Sequence, residues 1–174
     1  MIEAPTPAGW KPRTLAGLID CGIVVGYIVV LGMLIALVFP LLTGPTPLWA
    51  SALLAVLFIE VPIGVWWWRQ ESQFGVTIGK RFEGIRVVAM GSDLKASARR
   101  CALRTCGKML PWAIAHVLTL IAADASMIDQ WWWSVPALTL VVTLGIISVV
   151  VSYFRMDHRT AYDLLAGTQV IAQG

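Results

Sequence analysis

Charged residues are scarce in this chain. They make up 13% of its 174 residues, against roughly 25% in typical soluble domains, while 58% of the residues are hydrophobic. A soluble globule of this length has too little interior to bury so much apolar surface, whereas a lipid bilayer solvates it. The composition therefore argues against an ordinary soluble protein and predicts a single membrane domain over residues 1–174.

Cysteines are few, and their spacing carries no known signature. Cys21, Cys101 and Cys106 are odd in number and form no CxxC pair. This pattern supports neither a disulfide framework nor a zinc site. We predict that the three thiols pack as small apolar groups in a reducing compartment.

Signatures of catalysis and of nucleic-acid binding are missing. No GxSxG, HExxH or phosphate-binding loop occurs, since Gly79-Lys80-Arg81 lacks the glycine-rich run before it and the Ser or Thr after it. The 13 basic residues form no stripe with interleaved aromatic residues. We therefore predict no enzymatic activity, no cofactor, no metal and no nucleic-acid partner.

Long apolar runs are what the chain has in excess. Four of them reach the roughly 17 to 25 residues with which a helix crosses the hydrocarbon core, at about residues 15–42, 48–68, 107–123 and 131–154. The first is longer than the apolar region of a signal peptide and is followed by no small-residue cleavage site, so we interpret it as a retained anchor. The sequence predicts an all-α integral membrane protein with four transmembrane helices.

Lysine and arginine are absent from the short segments 43–47 and 124–130. All 13 basic residues lie in or directly beside three other segments, 1–14, 69–106 and 155–174. Because loops rich in Lys and Arg stay in the cytoplasm, we predict that both termini are cytoplasmic and that the protein lies in the plasma (inner) membrane.

The charged segments are predicted to form a small cytoplasmic cap. Ile85–Ala89 and Thr168–Ala172 are short β-prone runs, which we expect to pair as a two-stranded ribbon. Residues 96–108 read as a basic amphipathic helix that leads into the third span. In this helix a basic residue recurs every fourth position, a spacing suited to the phosphates of anionic lipid head groups, at Arg100, Arg104 and Lys108.

Three separated segments resemble the RDD family of small membrane proteins, which is named for one arginine and two aspartates. The matching segments are Arg13 with Leu18-Ile19-Asp20, Thr77-Ile78-Gly79-Lys80-Arg81 with Gly84-Ile85-Arg86-Val87-Val88, and Asp163-Leu164-Leu165-Ala166-Gly167-Thr168-Gln169-Val170-Ile171. The chain departs from the family pattern at Ile78, where proline is usual, and at Tyr162, where histidine is common. The resemblance implies the fold and topology above, and it implies a transport role that includes cation/proton exchange.

Three ionisable residues fall inside the predicted spans. With a rise of about 1.5 Å per residue, Asp20 lies about 8 Å, Glu60 about 12 Å and His116 about 13 Å from the cytoplasmic ends of their helices. Burial would push all three toward neutrality, and such a cluster could exchange a proton for an alkali cation. Pro62 could kink the second helix and free a backbone carbonyl as a further ligand.

A structural role for the same residues stays open. Arg13 is two helical turns from Asp20, so it could pair either with Asp20 or with Asp163 in the tail, which would attach the tail to the bundle. His116 could simply hydrogen-bond a neighbour. Two functions follow: a small cation/proton exchanger that works as a homo-oligomer, or a membrane scaffold or accessory subunit. The scaffold would bind anionic lipid or a partner protein through its basic cytoplasmic face.

Overall fold

A computed structural model describes residues 6–42, 48–123, 131–155 and 157–173 of the chain. In chain order these residues form α1 (Trp10–Leu42), α2 (Leu48–Ala55), a π-helical segment (Val56–Glu60), α3 (Val61–Phe74), α4 (Ile78–Phe82), β1 (Ile85–Ala89), α5 (Ala98–Ala123), α6 (Trp131–Phe154), α7 (Ala161–Ala166) and β2 (Thr168–Ala172). The architecture is mostly helical, as the composition predicts.

Helices occupy all four of the predicted spans. Among the described residues, two helical stretches are long and apolar enough to cross a membrane, Trp10–Ile35 and Val135–Phe154. The second predicted span is divided by the π-helical segment, and α5 carries four basic residues in its first half. The segments 43–47 and 124–130, predicted as outer loops, lie outside the described residues.

The π-helical segment ends two residues before the proline that was expected to disturb this helix. Pro62 follows Glu60 by two residues, and proline cannot donate a hydrogen bond to the carbonyl four residues earlier, that of Phe58. The hydroxyl of Tyr27 on α1 donates to that carbonyl at 2.5 Å. The carbonyl that we expected to become a cation ligand therefore accepts a hydrogen bond from α1.

The predicted ribbon is confirmed. Strands β1 and β2 pair antiparallel, with Val87 opposite Val170. The N-terminal segment joins them, since the Ala8 N–H donates to the Val170 carbonyl at 3.0 Å. Residues from all three charged segments of the chain therefore meet in one cap, and α1, α3, α5 and α6 each have one end at it.

One predicted boundary needs correction. Helix α1 begins at Trp10, inside the segment that was expected to precede the first span. Arg13, in the first turn of α1, pairs with Asp163 of the cap, so this end of the helix belongs to the cap. The basic helix predicted over residues 96–108 leads into the third span as expected, since the two form one continuous helix, α5.

The apolar core of the chain lies in the cap. Ala16 of α1, Val87 and Val170 of the ribbon and Cys101 of α5 are buried together. Burial raises the pKa of the Cys101 thiol, so this thiol stays protonated at neutral pH and packs as an apolar group. All three cysteines are free.

Candidate functional site

Asp20 on α1 binds the first turn of α4. The Thr77 hydroxyl donates to Asp20 Oδ2 at 2.6 Å, and the Gly79 backbone N–H donates to Asp20 Oδ1 at 2.9 Å. The first turn of a helix has N–H groups without partners in the helix, so a carboxylate is well matched to it. Thr77 is the N-cap of α4, with extended backbone, and its side chain also accepts from the Lys80 N–H at 3.4 Å. Asp20 therefore attaches α1 to the cap.

The glycine in this motif is explained by the same contact. A Cβ atom on Gly79 would lie 2.1 Å from the carbonyl oxygen of Ala16, so only glycine allows α4 to approach α1 this closely. Gly84 and Gly167 have φ angles of 60°, a left-handed conformation that glycine adopts readily. Gly84 turns the chain from α4 into β1, and Gly167 ends α7 before β2.

Asp163 is the second buried aspartate, and it is fully buried at the start of α7. Its Oδ2 accepts from the Thr160 N–H at 3.2 Å and from the Thr160 hydroxyl at 2.8 Å, which fixes the first turn of α7. Its Oδ1 contacts the guanidinium of Arg104 and accepts from the Thr168 hydroxyl at 3.2 Å. Asp163 therefore connects α7 and β2 to α5.

Arg13 pairs with Asp163 and not with Asp20. Its Nη2 lies 2.8 Å from Asp163 Oδ2, and its Nη1 donates to the carbonyl of His158. His158 has a φ angle of 49°, which is uncommon for a residue other than glycine, and the contact with Arg13 helps to hold this turn. Of the two partners that the sequence allowed for Arg13, the tail is the one it binds, so α1 is attached to the segment that follows α6.

Glu71, at the end of α3, is the centre of the site, and the sequence did not single it out. It is fully buried and accepts from Lys80 Nζ at 3.0 Å and from Lys108 Nζ at 2.8 Å. Arg104 Nε lies 3.0 Å from Glu71 Oε2 as a third cationic partner. No spacing signal within α3 could have identified Glu71, because its partners lie on other helices, Lys80 on α4 and Arg104 and Lys108 on α5.

The cations decide the ionisation of Glu71. Burial by itself would raise the pKa of this carboxyl group. The coulombic attraction of Arg104, Lys108 and Lys80 outweighs burial and holds the pKa well below its usual range. Glu71 is therefore a carboxylate at neutral pH.

These contacts join into one set of side chains, which we call the charge network. Lys80 extends it to Asp20, whose Oδ2 lies 4.0 Å from Lys80 Nζ. The network contains four basic and three acidic side chains: Arg13, Lys80, Arg104, Lys108, Asp20, Glu71 and Asp163. It links α1, α3, α4, α5 and α7. Removing one partner from a buried ion pair typically costs about 3–5 kcal/mol, so the network is a strong determinant of how the helices meet the cap.

The expected contact of Arg104 with lipid phosphates is corrected by this arrangement. The four-residue spacing does place Arg104 and Lys108 on one face, but that face is turned inward, toward Glu71. The side chain of Arg104 is only 2% exposed. Arg100, one turn earlier, is exposed and remains a candidate for binding lipid phosphates.

Glu60 and His116 are in contact, at a separate position along the helices. His116 Nδ1 of α5 lies 3.2 Å from Glu60 Oε1, at the end of the π-helical segment. The Glu60 side chain is 11% exposed and the His116 side chain 31%. Among the described residues, the polar contacts of Asp20 are with the cap and not with this pair. The predicted cluster of three ionisable residues is therefore divided: Glu60 and His116 form a pair, and Asp20 belongs to the cap.

Aromatic rings lie against several of the cations. Tyr162, the departure from the family pattern, has its ring 5.1 Å from the Arg104 guanidinium carbon and 5.5 Å from Lys108 Nζ. Arg81, the motif residue after Lys80, lies over the ring of Phe74 at 5.9 Å. A neutral aromatic face favours nearby cations, whereas a protonated histidine at position 162 would repel them.

The long apolar helices indicate a helical membrane protein. Buried ion pairs attach these helices to a small cap. A family model, that of the RDD family, matches residues 7–167. The chain belongs to the RDD family, as the three motif segments indicated. The arginine and the two aspartates of the motif, Arg13, Asp20 and Asp163, all lie in the charge network. Comparison with curated proteins and with solved structures gave no significant match.

Proposed function

We propose that this membrane protein has four transmembrane helices with both termini in the cytoplasm, and that it exchanges an alkali cation for a proton as a homo-oligomer. The meeting of the three charged segments in one cap supports the topology, because helices that leave and return to the same cap cross the bilayer an even number of times. The positive-inside bias supports a cytoplasmic position for that cap, at the plasma (inner) membrane.

The contact between Glu60 and His116 is the observation that carries the exchange proposal. A carboxylate and an imidazole 3.2 Å apart can share one proton, and the departure of that proton leaves a carboxylate able to attract a cation. The pair lies at the end of the π-helical segment, and such segments often mark functional positions in helices. Asp20 enters this proposal only as a structural residue, since its carboxylate is occupied by α4.

The experiment uses purified protein in liposomes that contain a pH-sensitive dye, with imposed sodium, lithium or potassium gradients. We expect cation-driven proton flux with the wild type and its loss with Glu60→Gln or His116→Ala. Glu83→Gln, which alters a carboxylate in the cap, is the matched control and should retain the flux. A wild type that is folded and monodisperse yet silent under every gradient would exclude exchange.

A membrane scaffold or accessory subunit is the second candidate, and the surface of the cap favours it. Phe82 and Leu94 are 76% and 75% exposed there, and the basic residues Arg99 and Arg100 at the start of α5 are exposed as well. A photo-cross-linking residue at position 94 should give a discrete protein adduct in native membranes, and the same residue at Leu37, on α1, should not. Equal labelling from both positions would argue against a partner site on the cap.

A further inference from the structure

A large cleft lies between α1 on one side and α5 and α6 on the other. Its volume is about 900 Å³, close to the upper end of the roughly 300–1,000 Å³ of typical small-molecule sites. Its apolar walls include Leu18 and Cys21 of α1, Leu110 and Ile114 of α5, and Val142 and Ile146 of α6.

The cap closes one end of this cleft. There the ring of Trp10 packs edge-on against that of Tyr153, with centroids 6.0 Å apart. The Thr14 hydroxyl lies 3.0 Å from the Tyr153 hydroxyl, which joins α1 to α6 at the same level. Tryptophan and tyrosine favour the level of the lipid head groups, so this end of the cleft lies where a lipid phosphate would be.

The charge network forms the floor of the cleft. All four of its basic side chains line the cleft, and Arg13 and Lys108 are the most exposed of them. The side chains of Arg13 and Lys108 are 13% and 14% exposed. Within the described part of the chain, Arg13 makes one contact from each terminal nitrogen, and Lys108 Nζ makes one hydrogen bond. Arginine has five N–H donors and lysine three, so donors remain for a further acceptor.

Basic side chains outnumber acidic ones in the floor. Four basic side chains face three acidic ones, so the network has one basic side chain in excess beside a cleft with apolar walls. A cation at the edge of hydrocarbon is stabilised by an anion, and phosphate oxygens suit both guanidinium and ammonium groups. An apolar helix of another protein would fill the walls but would not neutralise the floor.

We propose that the cleft binds one anionic phospholipid, with its phosphate against Arg13 and Lys108 and an acyl chain between α1, α5 and α6. The site differs from the basic surface around Arg100, where a lipid would remain in the bulk leaflet. Neither Glu60 nor His116 lines the cleft, so this inference does not depend on cation exchange.

Two glycines allow the cleft to be filled without altering the charge network. Gly17 and Gly145 line it, and a Cβ atom on either would meet nothing within 4 Å. Gly17→Leu and Gly145→Leu should therefore occupy the cleft and leave every ion pair intact. Gly32→Leu is the matched control, because Gly32 is also a glycine of α1 with open space around it but does not line the cleft.

The measurement is native mass spectrometry of the detergent-solubilised protein, titrated with phosphatidylglycerol, with phosphatidylcholine or with glycerol phosphate. We expect the wild type and Gly32→Leu to bind one phosphatidylglycerol about tenfold more tightly than phosphatidylcholine, since two basic residues contact the head group. Each cleft-filling variant should lose about tenfold in affinity for phosphatidylglycerol while keeping the wild-type melting temperature. Glycerol phosphate, which has no acyl chain, should bind measurably more weakly.

Several results would overturn the proposal. Equal binding of the two phospholipids would mean that the floor does not select an anion, and binding of glycerol phosphate as tight as that of the lipid would make the site a free-phosphate site. Unchanged lipid binding in both Gly17→Leu and Gly145→Leu would exclude the cleft. A wild-type dimer that these variants convert to a lipid-insensitive monomer would assign the cleft to a second copy of the chain.

Discussion

In the charge network of the cap, charged side chains are buried and paired with one another, whereas along the apolar stretches of α1 and α6 most side chains are exposed on the surface of the chain. The two regions therefore depend on different interactions. Ion pairs and a small apolar core fix the geometry of the cap, while lipid solvates the helices that extend from it. Substitutions in the cap should change folding, and substitutions on the apolar helices should change contacts with lipid or with other chains.

The strongest test of this comparison removes the cation that joins two buried acids. Arg104→Met leaves Glu71 and Asp163 buried without their shared partner, so we expect a loss of about 3–5 kcal/mol of stability. Thermal unfolding of the detergent-solubilised protein, followed by circular dichroism, measures it. Arg100→Met is the control, an exposed arginine one turn earlier on α5, and should change stability by less than about 0.5 kcal/mol. Similar effects of the two variants would mean that the charge network contributes no special stability.

Acid should also destabilise the cap, because protonation of a buried carboxylate removes one charge from its ion pairs. We expect this loss of stability to be smaller than that caused by Arg104→Met. The folded-state pKa of Glu71 is lowered, so its contribution is fully present above the unfolded-state value of about 4.5 and is lost as the pH falls toward the folded-state value. We expect the melting temperature to decrease as the pH is lowered below about 4.5. In Glu71→Gln this part of the pH dependence should be absent, and an unchanged acid profile in that variant would assign the sensitivity to other groups.

Gly79→Ala tests the close approach of α4 to α1. The added Cβ would clash with the carbonyl of Ala16, and steric overpacking of this kind typically costs about 1–3 kcal/mol. Gly32→Ala, on the apolar part of α1, meets open space and should be neutral or slightly stabilising, because alanine favours helix. Melting temperatures of the two variants compare the regions directly, and a neutral Gly79→Ala would contradict the close packing at this point.

The smallest effect is expected at the surface of the cap. Asp157 pairs with Arg155 at 2.9 Å, and the hydrogen bond from Arg155 lowers the pKa of Asp157 to about 2. Both side chains are well exposed, and solvent screening leaves such a pair with little effect on stability. Asp157→Asn should therefore shift the midpoint of chemical denaturation only slightly. A loss of stability as large as that of Arg104→Met would show that exposed and buried ion pairs contribute equally to stability.

The sequence predicted the elements better than it predicted their contacts. The β-prone runs at Ile85–Ala89 and Thr168–Ala172 pair as expected, because β-branched residues close to turns favour strands locally. Similar distances from the cytoplasmic ends of their helices correctly suggested that Glu60 and His116 could be neighbours. The same distances wrongly placed Asp20 beside them. Depth does not report rotation about the helix axis, and Asp20 is turned toward α4.

Local patterns thus determined the class of the protein, the positions of its helices and ribbon, and its family, since hydropathy, charge bias and motif residues are properties of neighbouring residues. Only the tertiary structure decided the partners. Arg13 binds Asp163, 150 residues away, and Glu71 collects cations from two other helices. Many carboxylates could have satisfied each of these cations in the linear chain, and the choice among them depended on which helices the cap brought together.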